Sequence, residues 1–392
     1  MDIFKLAFCI LLSSHAIANP GPLKEADRLI DEKKYKSAYE LLERLDKKNE
    51  KPGIVLMKAE LALNYFAKSL MHRSFAFVDI EEGRDLEFYR DNEWDFKLNK
   101  FRIDEELKKL IVHYPEDPRL YRALADYYFL VQKRYGNRWF ETQDKLLDLA
   151  EENYLKAEKI EPLGFVELDR LGVILVLKKK YTEAINCFEG SIRLNKEYSM
   201  PYYNLAYLYY KWEQYKKGLP FAEKSYKLSI EKNDKFDAAI MAASLNVLLN
   251  NNRNAIKYYR LASELKIDYD TLKSILVLYL KEKDVVNAFD YAEKIFMMDE
   301  KNLGISQDIL FIFGKLGFKD ELLKFFQKME MKYKDDNHVL GNIYFNRAFF
   351  YSYFKNDEKK KKMELIKAGE YYKKVFPENH EVFPIIKKEL NQ

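Results

Sequence analysis

Between Gly164 and Tyr198 the apolar positions fall into two short stripes of helical period. Leu168, Leu171, Gly172 and Leu175 stand at i, i+3, i+4 and i+7, one face of a helix. Lys178, Lys179 and Lys180 interrupt the pattern, and Ala184, Phe188 and Ser191 form a second stripe. Two amphipathic helices joined by a tight turn make an αα-hairpin. Small residues at Gly172, Ala184 and Ser191 let the two axes approach where a bulky side chain would hold them apart.

The same skeleton returns along the chain. YTEAINCFEGSIRLN, from Tyr181, is followed 34 residues later by YKKGLPFAEKSYKLS, from Tyr215. Further units carry Tyr202, Leu205, Ala206 and Tyr209, then Gly218 and Ala222; Ala239, Ala242 and Ala243, then Ala255 and Ala262; and Leu272, Ile275, Leu276 and Tyr279, then Ala288 and Ala292. Another has Ile309, Leu310 and Phe313, then Leu322 and Phe326. The second-helix anchors Ala184, Gly218, Ala255, Ala288 and Leu322 step by 34, 37, 33 and 34. A reaction centre is rarely repeated along one chain, and a packing unit usually is.

This spacing resembles the tetratricopeptide repeat, W-x2-L-G-x2-Y…A-x3-F…P over 34 residues. Leu171, Gly172, Ala184 and Phe188 match that pattern, with Leu168 in place of the tryptophan, Leu175 of the tyrosine and Lys196 of the proline. The resemblance implies an all-α fold, a right-handed α-solenoid of TPR helical hairpins with loop insertions. More degraded units flank the regular array. They are seen at Ala26 to Leu45, at Tyr121 to Pro162, around the inter-repeat turn His113 to Pro118, and at Tyr344 to Tyr372. The expected organisation is a leader over 1–18, degenerate units over 19–164, the regular array over 165–340, and a last unit with a capping helix over 341–392. Such arrays need caps because each unit buries its face only against its neighbours.

Three insertions interrupt the units. In the segment 73–101, Phe75, Phe77, Trp94, Phe96 and Leu98 alternate with other residues, which predicts a small β-hairpin. Its aromatics either seal the apolar edge of the array or form a partner-binding element centred on Trp94. The segment 132–144 contains RYGNRWFETQ, where Trp139 and Phe140 either pack on the adjacent turn or mark an interaction site. The charged stretch 356–363 lengthens a second helix. The resemblance also implies a concave groove, lined by first helices, that receives an extended peptide or a helix. Off the packing stripe of one first helix lie Tyr203, Tyr207 and Tyr210, at i, i+4 and i+7. They offer aromatic contact area with polar tips, and Asn204 beside them offers a peptide-binding amide. The Lys, Asn and Arg clamp that chaperone-binding members use for a C-terminal carboxylate has no counterpart here; Val166, Asp169 and Val173 stand there instead.

Composition narrows the function classes. Gly and Pro are scarce, at 13 and 10 in 392 residues, which suits a helical chain. A net charge of +4, with acids spread among the bases, speaks against nucleic acid as partner. Lys359 to Lys362 reads as a solvated helix face. The five histidines and the cysteines form no metal spacing, and no phosphate loop or nucleophile elbow appears. No cofactor, metal or catalytic residue is therefore assigned, and the chain reads as a non-enzyme. His72 beside Arg73 reads as a polar helix end, and Cys187 as a buried free thiol.

The N-terminal MDIFKLAFCILLSSHAIANP has Lys5, an apolar run from Leu6 to Leu12, and Ala16-Ile17-Ala18. That is a cleavable export signal with cleavage expected after Ala18, its run well short of the ~20 residues that span a bilayer. The location expected is periplasmic or secreted, with no integral span after cleavage. The function expected is an exported scaffold or adaptor that binds a protein through its groove in assembling or maintaining a cell-envelope complex. The alternative is a solenoid that presents glycan or substrate to an envelope enzyme.

Overall fold

The structure, a computed structural model, describes residues 21–92 and 95–391. The expected leader lies outside the described residues. The chain is all-α in class and divides between Leu205 and Ala206 into two compact units. None of the described helices is long and apolar enough to cross a membrane.

In the first unit, helix Pro22–Asp31 packs on Tyr35–Leu45, Pro118–Tyr135 on Gln143–Ile160, and Phe165–Leu177 on Tyr181–Leu194. Helix Pro52–Asn64 meets its mate Ile103–His113 only after a long excursion. In the second unit, Lys232–Leu248 packs on Asn252–Leu265, Tyr269–Lys281 on Val285–Phe296, Leu303–Lys315 on Lys319–Lys332, and Asn337–Phe350 on Glu358–Tyr372. The last helix, Val382–Asn391, packs on Glu358–Tyr372 and buries Val382 and Ile386 in a cluster with Phe345 and Tyr372. The helix between the units' hairpins, Met200–Lys211, runs across the division.

The second-helix anchors turn inward, and all but Leu322 are small. Ala38, Ala184, Ala255, Ala288 and Leu322 are fully buried, and so is Ala222 beside Gly218. Gly172 shows why size matters there. A methyl group at Gly172 would lie 2.5 Å from the Phe188 ring, which is itself fully buried.

The turns repeat as strictly as the anchors. Lys33, Lys179, Glu213, Asn250, Lys283 and Gly317 all adopt positive φ, and each precedes its second-helix anchor by five residues. In every case the next N–H bonds back five residues, as from Lys180 to the Leu175 carbonyl at 2.8 Å and from Phe318 to Phe313 at 2.9 Å. This closure satisfies carbonyls that the end of the first helix leaves open. Only Gly317 is a glycine, so the other five turns hold an L-residue in a conformation that costs it about 1 kcal/mol. Lys283→Gly is expected to raise stability by about 0.5 kcal/mol, the relief exceeding the entropy glycine adds to the unfolded chain. Gly317→Ala is expected to lose about 1 kcal/mol, since its surroundings are open and the loss is conformational. The urea midpoints of both variants check this, and an unchanged midpoint for Gly317→Ala would sink it.

Two details depart from the sequence reading. Lys361, inside the run read as a solvated face, turns inward and pairs with Glu358 and Glu389. Cys187 is half-buried instead of buried, and burial still pushes its thiol up to about 11, which favours the protonated form near neutral pH.

Candidate functional site

The first insertion begins earlier than Arg73. Two short strands, β1 (Lys68–Leu70) and β2 (Ser74–Ala76), form a hairpin whose first strand precedes the segment expected to hold one, and β3 (Asn99–Lys100) adds to β2 as the insertion returns; the alternating Phe96 and Leu98 lie in no strand. All three pair antiparallel. Phe75, Phe77 and Phe101 are buried. Phe77 stacks on Tyr39 at 4.6 Å, and Asp79 binds the backbone N–H and hydroxyl of Ser37. These aromatics seal an edge of the first hairpins. Phe96 is half-buried and Leu98 exposed, while Trp94 lies outside the described residues.

The hairpin turn is the unusual part. Leu70 to Arg73 is a two-residue β-turn, with Arg73 N–H bonded to the Leu70 carbonyl at 3.0 Å. Its central residues Met71 and His72 both have positive φ, 49° and 46°. Such turns favour Asn-Gly, because an ordinary side chain costs about 1–2 kcal/mol at each position. The strain is held by what His72 touches. The ring is fully buried, edge-on to Phe66, Phe75 and Tyr135. Its Nδ1 lies 2.9 Å from the Tyr135 hydroxyl and its Nε2 3.4 Å from Nη1 of Arg134. A guanidinium can only donate, so Nε2 accepts and Nδ1 carries the proton. Burial, and then the charge of Arg134, push His72 down to about 3, so the ring is neutral. Sequence reading placed His72 at a polar helix end. Its contacts lie 62 and 63 residues away, a separation with no local signature.

The second insertion arrives at the same place. Helix Pro118–Tyr135 stops at Gly136, with φ 52° and ψ −128°, a region open to glycine. A short 3₁₀ turn, Gly136–Arg138, reverses the chain. Trp139 then lies over Tyr135 at 5.0 Å and edge-on to Tyr127 at 6.4 Å, half-buried. Phe140 follows and is 65% exposed. Arg73, one residue past the strained turn, places its guanidinium 4.6 Å from the Phe140 ring centre and 5.9 Å from that of Trp139. The insertions thus meet through an arginine over an aromatic pair, a cation–π arrangement.

Three more arginines surround this contact. Arg90 and Arg134 lie 4.8 and 4.7 Å from the Phe66 ring. Arg90 is committed to structure, donating to the carbonyls of Phe66 and Asn64 and pairing with Glu87. Arg138 donates weakly to the Arg134 carbonyl. Among the described residues, Arg73, Arg134 and Arg138 have no carboxylate within ion-pair distance. Arg134 is exposed as a residue, yet desolvation of its guanidinium and the charge of Arg90 lower it, opposed by Tyr135 and Glu87. The Nε of Arg73 is sealed from solvent with no hydrogen-bond partner.

The tyrosine stripe divides by burial. On helix Met200–Lys211, Tyr203 and Tyr210 are half-buried, and Tyr210 lies 6.2 Å from the Tyr215 ring. Tyr207 is buried, with Lys211 over its ring. Asn204 is buried too, and its amide donates to Asp169 at 2.9 Å, which engages the N–H group proposed for a peptide backbone. Asp169 itself is fully buried. Burial pushes its carboxyl up to about 7, opposed by the Asn204 amide, the charge of Arg170 and the Tyr198 hydroxyl. A carboxyl raised above its unfolded value near 4 stabilises the fold fully below pH ~4. That contribution is lost as pH rises through 7. Asp169→Asn should therefore unfold at the same urea concentration as wild type near pH 4 and at a higher one at pH 8. Parallel pH profiles for the two proteins would reject the assignment. Among the described residues no group of His, Cys, Asp and Glu could hold a metal ion.

No family model matches the chain, and no curated protein matches it. Solved structures do. A TPR protein called YrrB, described as having an unusual peptide-binding site, is 21% identical over 47% of this chain and 91% of its own, with a TM-score of 0.31. A TPR protein from Parabacteroides merdae is 16% identical over 63% of this chain and 92% of its own, with a TM-score of 0.36. The C-terminal part of a TPR repeat-containing protein from Cytophaga hutchinsonii is 14% identical, covering 68% of this chain and 88% of its own, with a TM-score of 0.43. The structures that this chain is similar to are helical-repeat proteins of the kind its own spacing resembles.

Proposed function

We propose that the chain is an exported scaffold that holds a protein partner, with its first-unit insertions as one docking surface. The observation that carries this reading is the meeting of two insertions from different hairpins. They place exposed Phe140, half-buried Trp139 and carboxylate-free Arg73 side by side. Aromatic and arginine side chains are the types that anchor protein interfaces. A turn strained at two consecutive residues to seat His72 points the same way, since strain persists where the surroundings over-determine it. The residues first named for a groove, Tyr203, Asn204, Tyr207 and Tyr210 on helix Met200–Lys211, are the second candidate, and Tyr203 and Tyr210 are the more accessible of them. Export rests on the leader, and it suggests work on a cell-envelope complex.

The test uses residues 19–392 as bait in extract of the source cell. A protein retained by wild type and lost by Phe140→Ala supports the insertion surface. Loss only with a Tyr203→Ala, Tyr207→Ala, Tyr210→Ala variant moves the seat to helix Met200–Lys211. Capture of no protein, with sedimentation on cell-wall polymer instead, replaces the reading by the glycan-presenting one. N-terminal sequencing of the exported form should begin at Asn19; a start at Met1 would reject cleavage.

A further inference from the structure

The chemistry of the patch says what kind of segment would fit it. We propose that the surface where the insertions meet receives an acidic segment of a protein partner, with carboxylates on Arg73 and Arg134 and an apolar side chain on Phe140. This rests on reading the chain as a protein-binding scaffold and adds the partner's chemistry.

Three observations carry it. The first is charge. Arg73, Arg134 and Arg138 have no carboxylate among the described residues, although the chain carries 63 acids for 67 bases and pairs most buried bases. Arg170, Arg347 and Lys58 each reach an acid. Three arginines without a carboxylate at ion-pair distance among the described residues leave a net positive surface, in which Glu87 acts on Arg134 only at longer range.

The second is preorganisation. Arg73 is stacked on Phe140, and Arg134 is fixed by the Phe66 face and the neutral His72. A stacked guanidinium keeps its edge N–H groups free to fork onto a carboxylate, and it has already lost the side-chain freedom that binding would otherwise cost. His72 contributes because it is held uncharged. A protonated imidazole at that place would repel Arg134 and offer no lone pair to it.

The third is shape. Arg73 is half-buried and its Nε is sealed. A flat anionic surface can meet the exposed Arg134 and Arg138 but not the recessed Arg73, whereas a carboxylate on a flexible side chain reaches all three. Phe140, 65% exposed beside it, gives an apolar seat that a bare anion would leave uncovered. A segment of mixed acidic and apolar residues satisfies both.

The experiment measures fluorescence anisotropy of a labelled peptide of alternating Glu and Leu, binding to residues 19–392. A Gln-Leu peptide and phosphatidylserine vesicles are run alongside. The expected result is binding of the Glu-Leu peptide about tenfold tighter than the Gln-Leu peptide, weakening as salt rises. Arg73→Gln and Phe140→Ala should each weaken it several-fold while leaving the urea midpoint near wild type. Arg73→Lys, which keeps charge without the planar fork, should fall between. Equal binding of the two peptides, indifference to Arg73→Gln, or binding of vesicles but not of peptide would each overturn the proposal. If those results appear while the bait still captures a protein through Phe140, the scaffold reading stands and only the acidic chemistry fails.

Discussion

Replacing Arg170 by methionine is expected to destabilise the first unit by about 3–5 kcal/mol, the cost of stranding a buried charge. Arg170 lies on helix Phe165–Leu177 and is almost fully buried. Its guanidinium donates to Asp126, on helix Pro118–Tyr135, at 2.5 Å. The hydroxyl of Tyr154, on helix Gln143–Ile160, donates to the same carboxylate. One carboxylate therefore ties three helices and links two successive hairpins. Methionine fills most of the volume but leaves Asp126 with a single neutral donor in a place water barely reaches. The control is the double variant Asp126→Leu, Arg170→Met. Exchanging a buried pair for apolar side chains is often neutral, so the double variant should recover part of the loss, less what the buried Tyr154 hydroxyl costs once its acceptor is gone. Urea unfolding of all three proteins measures it. A loss below about 1 kcal/mol for the single variant, or a double variant no better than it, would show that the pair carries little coupling.

Phe188→Ala is expected to cost a similar amount, about 3–5 kcal/mol, for a different reason. Phe188 fills the space between the two helices of its hairpin, against Gly172. Its ring lies where a methyl on residue 172 would come 2.5 Å from it. Truncation removes the ring's burial and leaves a cavity that rigid helices close only in part. The reciprocal change, Gly172→Ala, overpacks the same contact and should lose about 1–3 kcal/mol. Combining Gly172→Ala with Phe188→Leu should lose less than the two singles together, because the smaller side chain vacates the methyl's position. Strict additivity in the urea midpoints would mean that the two residues do not share the contact.

The sequence by itself determined the hairpins and their spacing. A stripe of period 3.6 and a small residue at each close approach are local properties, so they repeat wherever the unit repeats. The 34, 37, 33 and 34 steps of the anchors return in the turns from Lys179 to Gly317, since turn and anchor belong to one rigid motif. Of the β-hairpin in the first insertion only the strand Ser74–Ala76 was legible, by its local alternation; its partner Lys68–Leu70 carries no such pattern. Trp139 and Phe140 were singled out by residue type, without the arginine that completes their surface.

Only the tertiary structure decided which distant side chains meet. Nothing near His72 indicates that Tyr135 and Arg134 will enclose it, or that Arg73 will lie over Phe140. Each pairing spans more than 60 residues, and aperiodic insertions leave no register from which to read it. Burial of charge was hidden for the same reason. Asp169 and Lys361 have the residue types of a solvated face and acquire their partners, Asn204 and Glu389, from elements packed on them after folding. Periodicity fixes which face of a helix turns inward, and the side chains arriving from other helices decide what that face becomes.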